Sequence, residues 1–420
     1  MSVPVKLEHQ QLPPGWVMKP ISDVLNVVER PIKMVGDHQY RRVTVKRRHG
    51  GIELRDVQLG ADIKVKNQYL IKAGDFLVSE RQIVHGACGI VPSNLEGALV
   101  SNEYLVLESS DGFSTRYFNY LVQLKEYAKL FLLCSQGVDI EKFLFKPKDW
   151  LKKRIPVPPS LEQEKIAAII MAVDDKLSII GRQIETAQTL KHGLMQNLFN
   201  QGLGALDAEK WPVELLSEVA EIRTGIAKGK KGLNEPMQLP YLRVANVQDG
   251  HIDLAEVKTI EVELAQVDRY ALQPGDVLMT EGGDIDKLGR GDVWEGQISP
   301  CLHQNHVFAV RPVSERLDSY YLAALAASDY GRKYFMSCAK RSTNLASINS
   351  SQLKAFPVLL PPLAIQEKIA KVVSAANAKI AILEEKQTVY QTLKRGLMQK
   401  LLTGEWRVTL DRQKEVALAA

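Results

Sequence analysis

Two stretches of the chain repeat each other, and this duplication limits what the sequence can fold into more than any other feature. Residues 158–199 align without gaps with residues 361–402, and 19 of the 42 positions are identical. The segments that precede the copies are weakly similar in sequence, for example at Gly74-Asp75 and Gly275-Asp276. The chain therefore has the order A-B-A′-B′. We expect the B segments to share one task and the A segments to perform different versions of another.

Each B segment carries a narrow apolar stripe whose spacing alternates between three and four residues, as in the heptad seam of a coiled coil. The seam comprises Ile166, Ile170, Val173, Leu177, Ile180 and Ile184 in the first copy and Ile369, Val373, Ile380 and Leu383 in the second. Both copies should form long helices that pack against each other in antiparallel fashion. A generic amphipathic helix on a globular core is the alternative.

The ends of these helices and the glycines within them also predict structural features. Pro-Pro begins each copy, and Ser160 with Gln163 predicts a capping box in the first, whereas Leu363 replaces the serine in the second. A glycine inside a helix costs about 1 kcal/mol. Gly193 and Gly396 therefore predict a close approach to another helix or to another subunit.

The first A segment contains a concentrated positive charge. Residues 30–48 hold seven Lys or Arg against one Asp, although the net charge of the whole chain is only +5. Alternation along residues 40–48 predicts a strand with Tyr40, Arg42, Thr44, Lys46 and Arg48 on one face and Val43 and Val45 on the other. A local positive field suits a polyanion, whereas a solvated sheet face is the alternative. Tyr40 is the one aromatic residue here, which favours duplex DNA over single strands.

The second A segment carries a glycine-rich basic loop, residues 225–232, with Lys228, Lys230 and Lys231. Its glycines stand four apart, and Lys231 occupies the position where a P-loop needs a hydroxyl, so it does not predict a nucleotide site.

The remaining patterns that could indicate catalysis or metal binding are weak. Asp249 with Glu256-Val257-Lys258 faintly resembles a nuclease signature, but an exposed strand explains it better. His303 and His306 have metal-like spacing without a third ligand nearby, and we interpret them as surface or satisfied histidines. No catalytic residue, metal site or bound cofactor is expected in this chain.

Composition narrows the class of protein. Hydrophobic residues make up 45% and charged residues 25% of the 420 positions, which excludes a wholly disordered, collagenous or membrane-embedded chain. No apolar run reaches about 18 residues and the start lacks a signal peptide, so a cytoplasmic location is expected. The four cysteines lie far apart, which predicts neither a disulfide framework nor a thiolate zinc site.

These residues resemble one known family, the specificity subunits of type I restriction-modification systems. Both B copies carry Gln-Glu-Lys-Ile-Ala after Pro-Pro, and both carry Leu-Lys-x-Gly-Leu-Met-Gln near their ends. Residues 281–291 and 86–104 are similar to stretches of the family's target recognition domains. The resemblance spans nearly the whole chain in the A-B-A′-B′ order.

The resemblance implies a non-catalytic subunit that recognises a bipartite double-stranded DNA target. Two DNA methyltransferase subunits and motor-nuclease restriction subunits would be its partners, and these would carry S-adenosylmethionine, ATP and Mg²⁺. The expected fold is two α/β (α+β) target recognition domains in tandem, separated by two long antiparallel coiled-coil helices in a pseudo-twofold internal repeat. We assign the recognition domains to residues 1–154 and 203–355, the spacer helices to residues 155–202 and 356–405, and a tail to residues 406–420.

Candidate contacts follow from this assignment. The first half-site would be bound by Arg41, Arg42, Lys46, Arg47 and Arg48, and the second by Lys228, Lys230, Lys231, Lys287 and Arg290. The helix pair and its partner interface would use the seam residues together with Gly193 and Gly396. Three other functions stay open: a stand-alone DNA-binding regulator, a coiled-coil scaffold without DNA, and a fused restriction enzyme, for which the sequence lacks catalytic motifs.

Overall fold

The structure is a computed structural model that describes residues 12–200, 211–228, 235–283, 288–341 and 346–409. Its backbone divides into two compact units: unit 1 is Met1–Ile179 with Gln387–Ala420, and unit 2 is Ile180–Lys386. Each unit thus joins one A segment to one half of each B segment. The domain boundaries predicted from the sequence treat the helices as separate spacers, and they stay a prediction.

Unit 1 is a mixed α/β unit whose strands are short. In chain order its elements before the first long helix are β1 (Val17–Pro20), β2 (Leu25–Val27), β3 (Pro31–Ile32), β4 (Gln39–Val45), β5 (Ile52–Leu59), β6 (Gln68–Leu70), β7 (Phe76–Ser79), β8 (Cys88–Ile90), β9 (Leu99–Ser101), β10 (Tyr104–Ser109), α1 (Thr115–Leu121), α2 (Lys125–Leu133), β11 (Ser135–Gln136), β12 (Leu144–Phe145), α3 (Pro147–Leu151) and β13 (Arg154–Val157). One sheet has the order β3-β6-β9-β4-β5 and another β2-β10-β7-β8, while β1 pairs with β13 and β11 with β12. The β4–β5 hairpin therefore lies at a sheet edge.

Unit 2 is also mixed α/β but is built from different sheets. Its elements are β14 (Val213–Leu215), α5 (Leu216–Val219), β15 (Ala220–Thr224), β16 (Pro236–Leu242), β17 (Val247–Gln248), β18 (His251–Ile252), β19 (Lys258–Glu263), α6 (Val267–Tyr270), β20 (Val277–Thr280), β21 (Gly282–Gly283), β22 (Gly291–Val293), β23 (Leu302–His303), β24 (Val307–Pro312), α7 (Ser319–Ala327), α8 (Asp329–Cys338), β25 (Lys340–Arg341), β26 (Ala346–Ser347), α9 (Ser350–Lys354) and β27 (Pro357–Leu359). The main sheets have the orders β15-β24-β20-β22, β19-β16-β23 and β21-β26-β25, with pairs β14-β27 and β17-β18.

The two B segments form the long helices α4 (Ser160–Asn200) and α10 (Leu363–Leu402), as predicted. Most seam residues are buried, and Leu177 and Ile380 are half-buried. In unit 1 the start of α4 shares a hydrophobic core with the end of α10, through Ile166, Ile170, Met398, Leu401 and Leu402. In unit 2 the end of α4 shares a core with the start of α10, through Met195, Leu198, Phe199, Ile369 and Val373. Both units therefore show the antiparallel packing that the seam predicts.

A buried glutamine attaches each long helix to its unit. The Oε1 atom of Gln163 accepts from the Ser114 backbone N–H at 2.8 Å, and its Nε2 donates to the carbonyls of Pro158 at 2.8 Å and Gly112 at 3.2 Å. The predicted capping box is therefore wrong, because this side chain reaches another segment, and the backbone N–H of Gln163 donates instead to the Pro159 carbonyl. The side chain is 1% exposed, so these bonds replace water contacts that burial removes.

Gln366 makes the matching contacts in unit 2. It accepts from the Asp318 backbone N–H and donates to the carbonyls of Arg316 and Pro361, each at 2.9 Å. Ser114 and Asp318 are the N-cap residues of α1 and α7. The identical glutamines thus orient a short helix on each long one. We call these two arrangements the glutamine clamps.

A second repeated device is a buried carboxylate in each unit. Asp75 and Asp276 each accept from the backbone N–H three residues earlier. Each also forms a two-bond ion pair with an arginine, Arg30 for Asp75 and Arg311 for Asp276. The hydrogen bonds that the arginines donate to these carboxylates raise the pKa of both arginines. The Gly-Asp pair that recurs in the sequence therefore has a structural role in both units.

Unit 1 also contains a buried glutamate that has no counterpart in the second copy, where Ile365 stands. Glu162 is 1% exposed and forms two hydrogen bonds with Arg407, at 2.8 and 2.9 Å, and accepts from Trp16 Nε1 at 3.1 Å. Arg407 also donates to the Pro14 carbonyl at 3.0 Å. These bonds tie the segment after α10 to the segment before β1.

Candidate nucleic-acid interface

The basic strand of unit 1 forms, but it is shorter than predicted. β4 ends at Val45, so Lys46, Arg47 and Arg48 lie in the turn that leads to β5. The pairing register shifts between Arg42 and Val43, because β5 contributes one extra residue there, Arg55, as at a β-bulge. Tyr40 is buried in one hydrophobic cluster, and Val43 and Val45 are buried in another. Tyr40 is therefore not exposed beside the cations.

Most cations of this patch already have partners. Arg42 forms two bonds with Asp56 of β5, at 2.8 and 2.7 Å, and these bonds lower the pKa of the Asp56 carboxyl. Lys46 lies 2.6 Å from Glu53, also of β5, and Arg47 lies 3.0 Å from Glu141. Arg41 donates to the carbonyls of Asn94 and Glu96. The count over residues 30–48 thus overstates the local charge, since tertiary contacts supply carboxylates from elsewhere.

Arg48 differs from its neighbours. Its side chain is exposed, and no described residue forms a hydrogen bond or an ion pair with its guanidinium. Its backbone, in contrast, is held in place, because its N–H donates to the His85 carbonyl at 2.7 Å. The turn therefore presents one uncompensated cation to solvent.

The structure describes only part of the second candidate set. Lys230, Lys231 and Lys287 lie outside the described residues. Lys228 is exposed, and its Nζ lies 6.0 Å from the centre of the Tyr241 ring. Arg290 is half-buried just before β22, and its carbonyl accepts from the Thr280 backbone N–H at 3.1 Å.

The long helices expose a second apolar set besides the seam. Ile179 and Leu190 of α4 are 39% and 62% exposed, and Ile382 and Leu393 of α10 are 60% and 47% exposed. Each pair is 11 residues apart, which returns to nearly the same helix face, and the pairs occupy matching positions of the repeat. We call these four residues the outer stripe. Sequence reasoning missed it, although its residues recur at the repeat offset.

Gly193 and Gly396 are open on the side where a side chain would project. A Cβ added at either glycine would have no atom of the described residues within 4 Å. Within the described residues, neither glycine therefore marks a close approach to another helix. The predicted close approach to another helix or to another subunit stays a prediction.

The weak catalytic patterns resolve into ordinary contacts. Asp249 pairs with Arg332 at 2.5 Å, and Glu256 lies near both Arg243 and Lys258. His303 is buried with Nδ1 2.7 Å from the Val307 carbonyl oxygen, and burial lowers its pKa to about 4. In the part of the chain that the structure describes, no group of three or more His, Cys, Asp or Glu is placed to hold a metal ion. Among the helices of the described ranges, none combines the length and apolar composition needed to cross a bilayer.

Comparisons with known proteins agree with this architecture. A family profile described as the type I restriction modification DNA specificity domain matches twice, over residues 13–188 and 208–390. The putative type I restriction enzyme MjaX specificity subunit of Methanocaldococcus jannaschii is 31% identical over 198 residues, 46% of each chain. The type I restriction enzyme EcoKI specificity subunit of Escherichia coli strain K12 is 23% identical over 96% of this chain and 91% of its own.

Solved structures show the same fold. The type I restriction-modification system S subunit from M. genitalium superposes with a TM-score of 0.58 at 13% identity, covering 94% of this chain and 97% of its own. A chain from a structure described as the basis of complex assembly and conformational transition of the type I R-M system gives 0.54 at 19% identity, over 94% and 100%.

Two mixed α/β units in tandem, each matched by a DNA specificity profile and joined to long helices, define a two-domain DNA specificity protein. The chain belongs to the type I restriction-modification DNA specificity family. It is a sequence-specificity subunit with two recognition domains, a non-catalytic part of a type I restriction-modification complex.

Proposed function

We propose that this subunit recognises a bipartite site in double-stranded DNA, with unit 1 binding one half-site and unit 2 the other. The glutamine clamps carry this proposal, because they attach unlike units to equivalent positions of the two repeated helices. A shared attachment with different recognition surfaces suits a target whose halves differ in sequence and are separated by a fixed gap.

The DNA contacts would combine phosphate-binding cations with base-reading side chains. Arg41, Arg42, Lys46 and Arg47 would serve the phosphates of the first half-site. Lys228, Lys230, Lys231, Lys287 and Arg290 would serve those of the second. Pairing with Glu53 or Asp56 does not oppose this role, because a phosphate can replace a solvent-exposed carboxylate as the partner.

The outer stripe would bind the partner subunits. Its residues recur at equivalent positions on α4 and α10, which supports two equivalent docking sites and hence two methyltransferase subunits. Gly193 and Gly396 would let a partner helix approach closely, since an open surface lies over both. Motor-nuclease restriction subunits would join this complex in the cytoplasm. S-adenosylmethionine, ATP and Mg²⁺ would be bound by the partners, with no cofactor on this chain.

Genome-wide mapping of methylated adenines, with and without this gene, tests the function directly. We expect a gapped motif that disappears on deletion and returns when the gene is restored. A methylation pattern unchanged by deletion would contradict the proposal. Co-purification of a methyltransferase with the expressed chain separates this function from a stand-alone regulator, which needs no such partner.

The phosphate contacts are tested by duplex binding of the assembled complex over a range of salt concentrations. Lys46→Ala should weaken binding to all sequences and lower the slope of log K against log salt by about one. Lys129→Ala, an exposed cation on α2 of the same unit, is the matched control. An unchanged affinity and slope for Lys46→Ala would remove this lysine from the interface.

Partner docking is tested by the mass of the intact complex. Leu190→Glu and Leu393→Glu each place a charge on one outer-stripe position, so each alone should reduce the methyltransferase count from two to one. The double variant should bind none. Thr189→Glu, also exposed and adjacent on α4, should keep both partners. Retention of two partners by the double variant would show that the outer stripe is not the docking surface.

A further inference from the structure

One arginine in the β4–β5 turn is held differently from the other cations of residues 41–48. Arg42, Lys46 and Arg47 are paired with carboxylates, and Arg41 donates to two carbonyls. No described residue pairs with the Arg48 side chain, which is exposed. A guanidinium without an internal partner keeps all its donors available for a ligand.

The backbone that carries Arg48 is fixed in an unusual conformation. Arg48 and His49 have φ values of +57° and +54°, in the left-handed region that a Cβ disfavours. The β17–β18 turn of unit 2 uses Gly250 for its positive φ, without strain. Strain of this kind persists only where the surroundings impose it, and it concentrates at functional positions.

The surroundings that impose this conformation are on the neighbouring loop. The N–H groups of Arg48 and His49 donate to the carbonyls of His85 and Gly86 at 2.7 and 2.8 Å. The His49 ring packs closely over Gly86, where an added Cβ would lie 2.9 Å from Nε2. The same ring lies with Nδ1 3.5 Å from the Cys88 sulfur. The backbone of the turn is therefore held in place, and the Arg48 side chain that it carries is exposed.

Rigidity distinguishes base reading from phosphate binding. Phosphate contacts tolerate a flexible chain and occur along the whole backbone of the duplex. A bidentate contact with a base edge uses the planar fork of the guanidinium, and a fixed backbone limits the positions that this fork can reach. The β4–β5 hairpin lies at the edge of its sheet, and a two-stranded ribbon of this kind fits the major groove of B-DNA.

We propose that Arg48 is a specificity-determining residue that reads a guanine in the first half-site through its O6 and N7 atoms. This inference rests on the proposed function and adds to it the residue and the base. Arg47 lacks the same role, because its guanidinium is held by Gln82 and Glu141.

The test uses the full chain assembled with its methyltransferase subunits and duplexes that carry the motif from methylation mapping. Each position of the half-sites is replaced in turn by the other bases, and binding is measured by competition. Arg48→Ala removes the side chain, whereas Arg48→Lys keeps the charge but loses the planar bidentate group. Lys129→Ala, which removes an exposed cation on α2 of the same unit, is the matched control.

The wild-type complex should prefer guanine at one position of one half-site by about 5- to 150-fold. Both Arg48 variants should lose that preference and keep the others, and Arg48→Lys should keep the salt dependence of wild type. Lys129→Ala should retain the preference. An even loss of affinity across all duplexes, or no change at all, would overturn the inference while leaving the proposed function intact. A wild-type complex without any sequence preference would instead refute the proposed function.

Discussion

The glutamine clamp of unit 1 offers a direct test of how the helix and the recognition unit are joined. In Gln163→Leu, the buried Ser114 N–H and the Pro158 and Gly112 carbonyls lose their partner. Each lost bond costs about 0.5–1.5 kcal/mol, and a buried group left unpaired costs about 1–3 kcal/mol. Two of the three distances are 2.8 Å, and leucine restores part of the loss by apolar burial. We therefore expect a local destabilisation of about 2–4 kcal/mol.

Hydrogen–deuterium exchange of the full chain measures this effect locally, which matters because two units need not unfold together. Exchange in residues 112–121 should accelerate by about 30- to 900-fold in Gln163→Leu, since 1.36 kcal/mol corresponds to a factor of ten. Gln366→Leu should produce the same effect in residues 316–321 and none in residues 112–121. Gln183→Leu, on the exposed surface of α4, should change neither region.

The reasoning fails if Gln163→Leu leaves the exchange of residues 112–121 within threefold of wild type. It also fails if Gln366→Leu affects unit 1 as strongly as unit 2, because the clamps would then report global unfolding and not two local attachments.

Three further predictions follow from the contacts. Arg407→Ala leaves the buried Glu162 without its ion-pair partner and should destabilise unit 1 by about 3–5 kcal/mol in urea unfolding. The double variant Arg407→Ala with Glu162→Ile, which carries the isoleucine of the second copy, should recover most of this loss. Burial lowers the pKa of His303 to about 4, below its ordinary value of 6.5, so the unfolded chain binds the proton first as pH falls. The contribution of His303 to the free energy of unfolding of unit 2 is therefore fully present above pH 6.5. It should decline towards pH 4 by up to about 1.4 kcal/mol per pH unit. Denaturation at pH 7.5 and 5.0 should show this decline in wild type and not in His303→Gln. Gly193→Ala and Gly396→Ala should each stabilise the free subunit by about 1 kcal/mol, since no described atom opposes the added methyl group. Both variants should weaken assembly with the partner subunits, measured by native mass spectrometry. Unchanged assembly would show that these glycines do not lie in the partner surface.

Much of the architecture could be predicted from the residues alone because it depends on periodicity along the chain. The seam from Ile166 to Ile184 specifies a long helix, and its repetition specifies a second helix of matching length. Their antiparallel packing follows, since each stripe offers the other a complementary surface. The repeat also predicted that the B segments share one task, although it could not say that Gln163 reaches Ser114 instead of capping its own helix.

The candidate site depended on contacts between segments that are distant in the sequence. The count of cations around Arg42 was correct, but the carboxylates of Asp56 and Glu141 approach only after the chain folds. The pairing register of β4 also shifts between Arg42 and Val43, because β5 carries one extra residue there, and alternation along β4 cannot reveal such a bulge.

What the sequence by itself determined is therefore the order of the segments, the two helices and their seam, because those properties repeat within a local window. The tertiary structure alone decided which charges stay free. Arg48 stands out because Arg42, Lys46 and Arg47 are paired with carboxylates, whereas only its own backbone is bonded, to the loop at His85. Electrostatic pairing depends on distance through space, not along the chain.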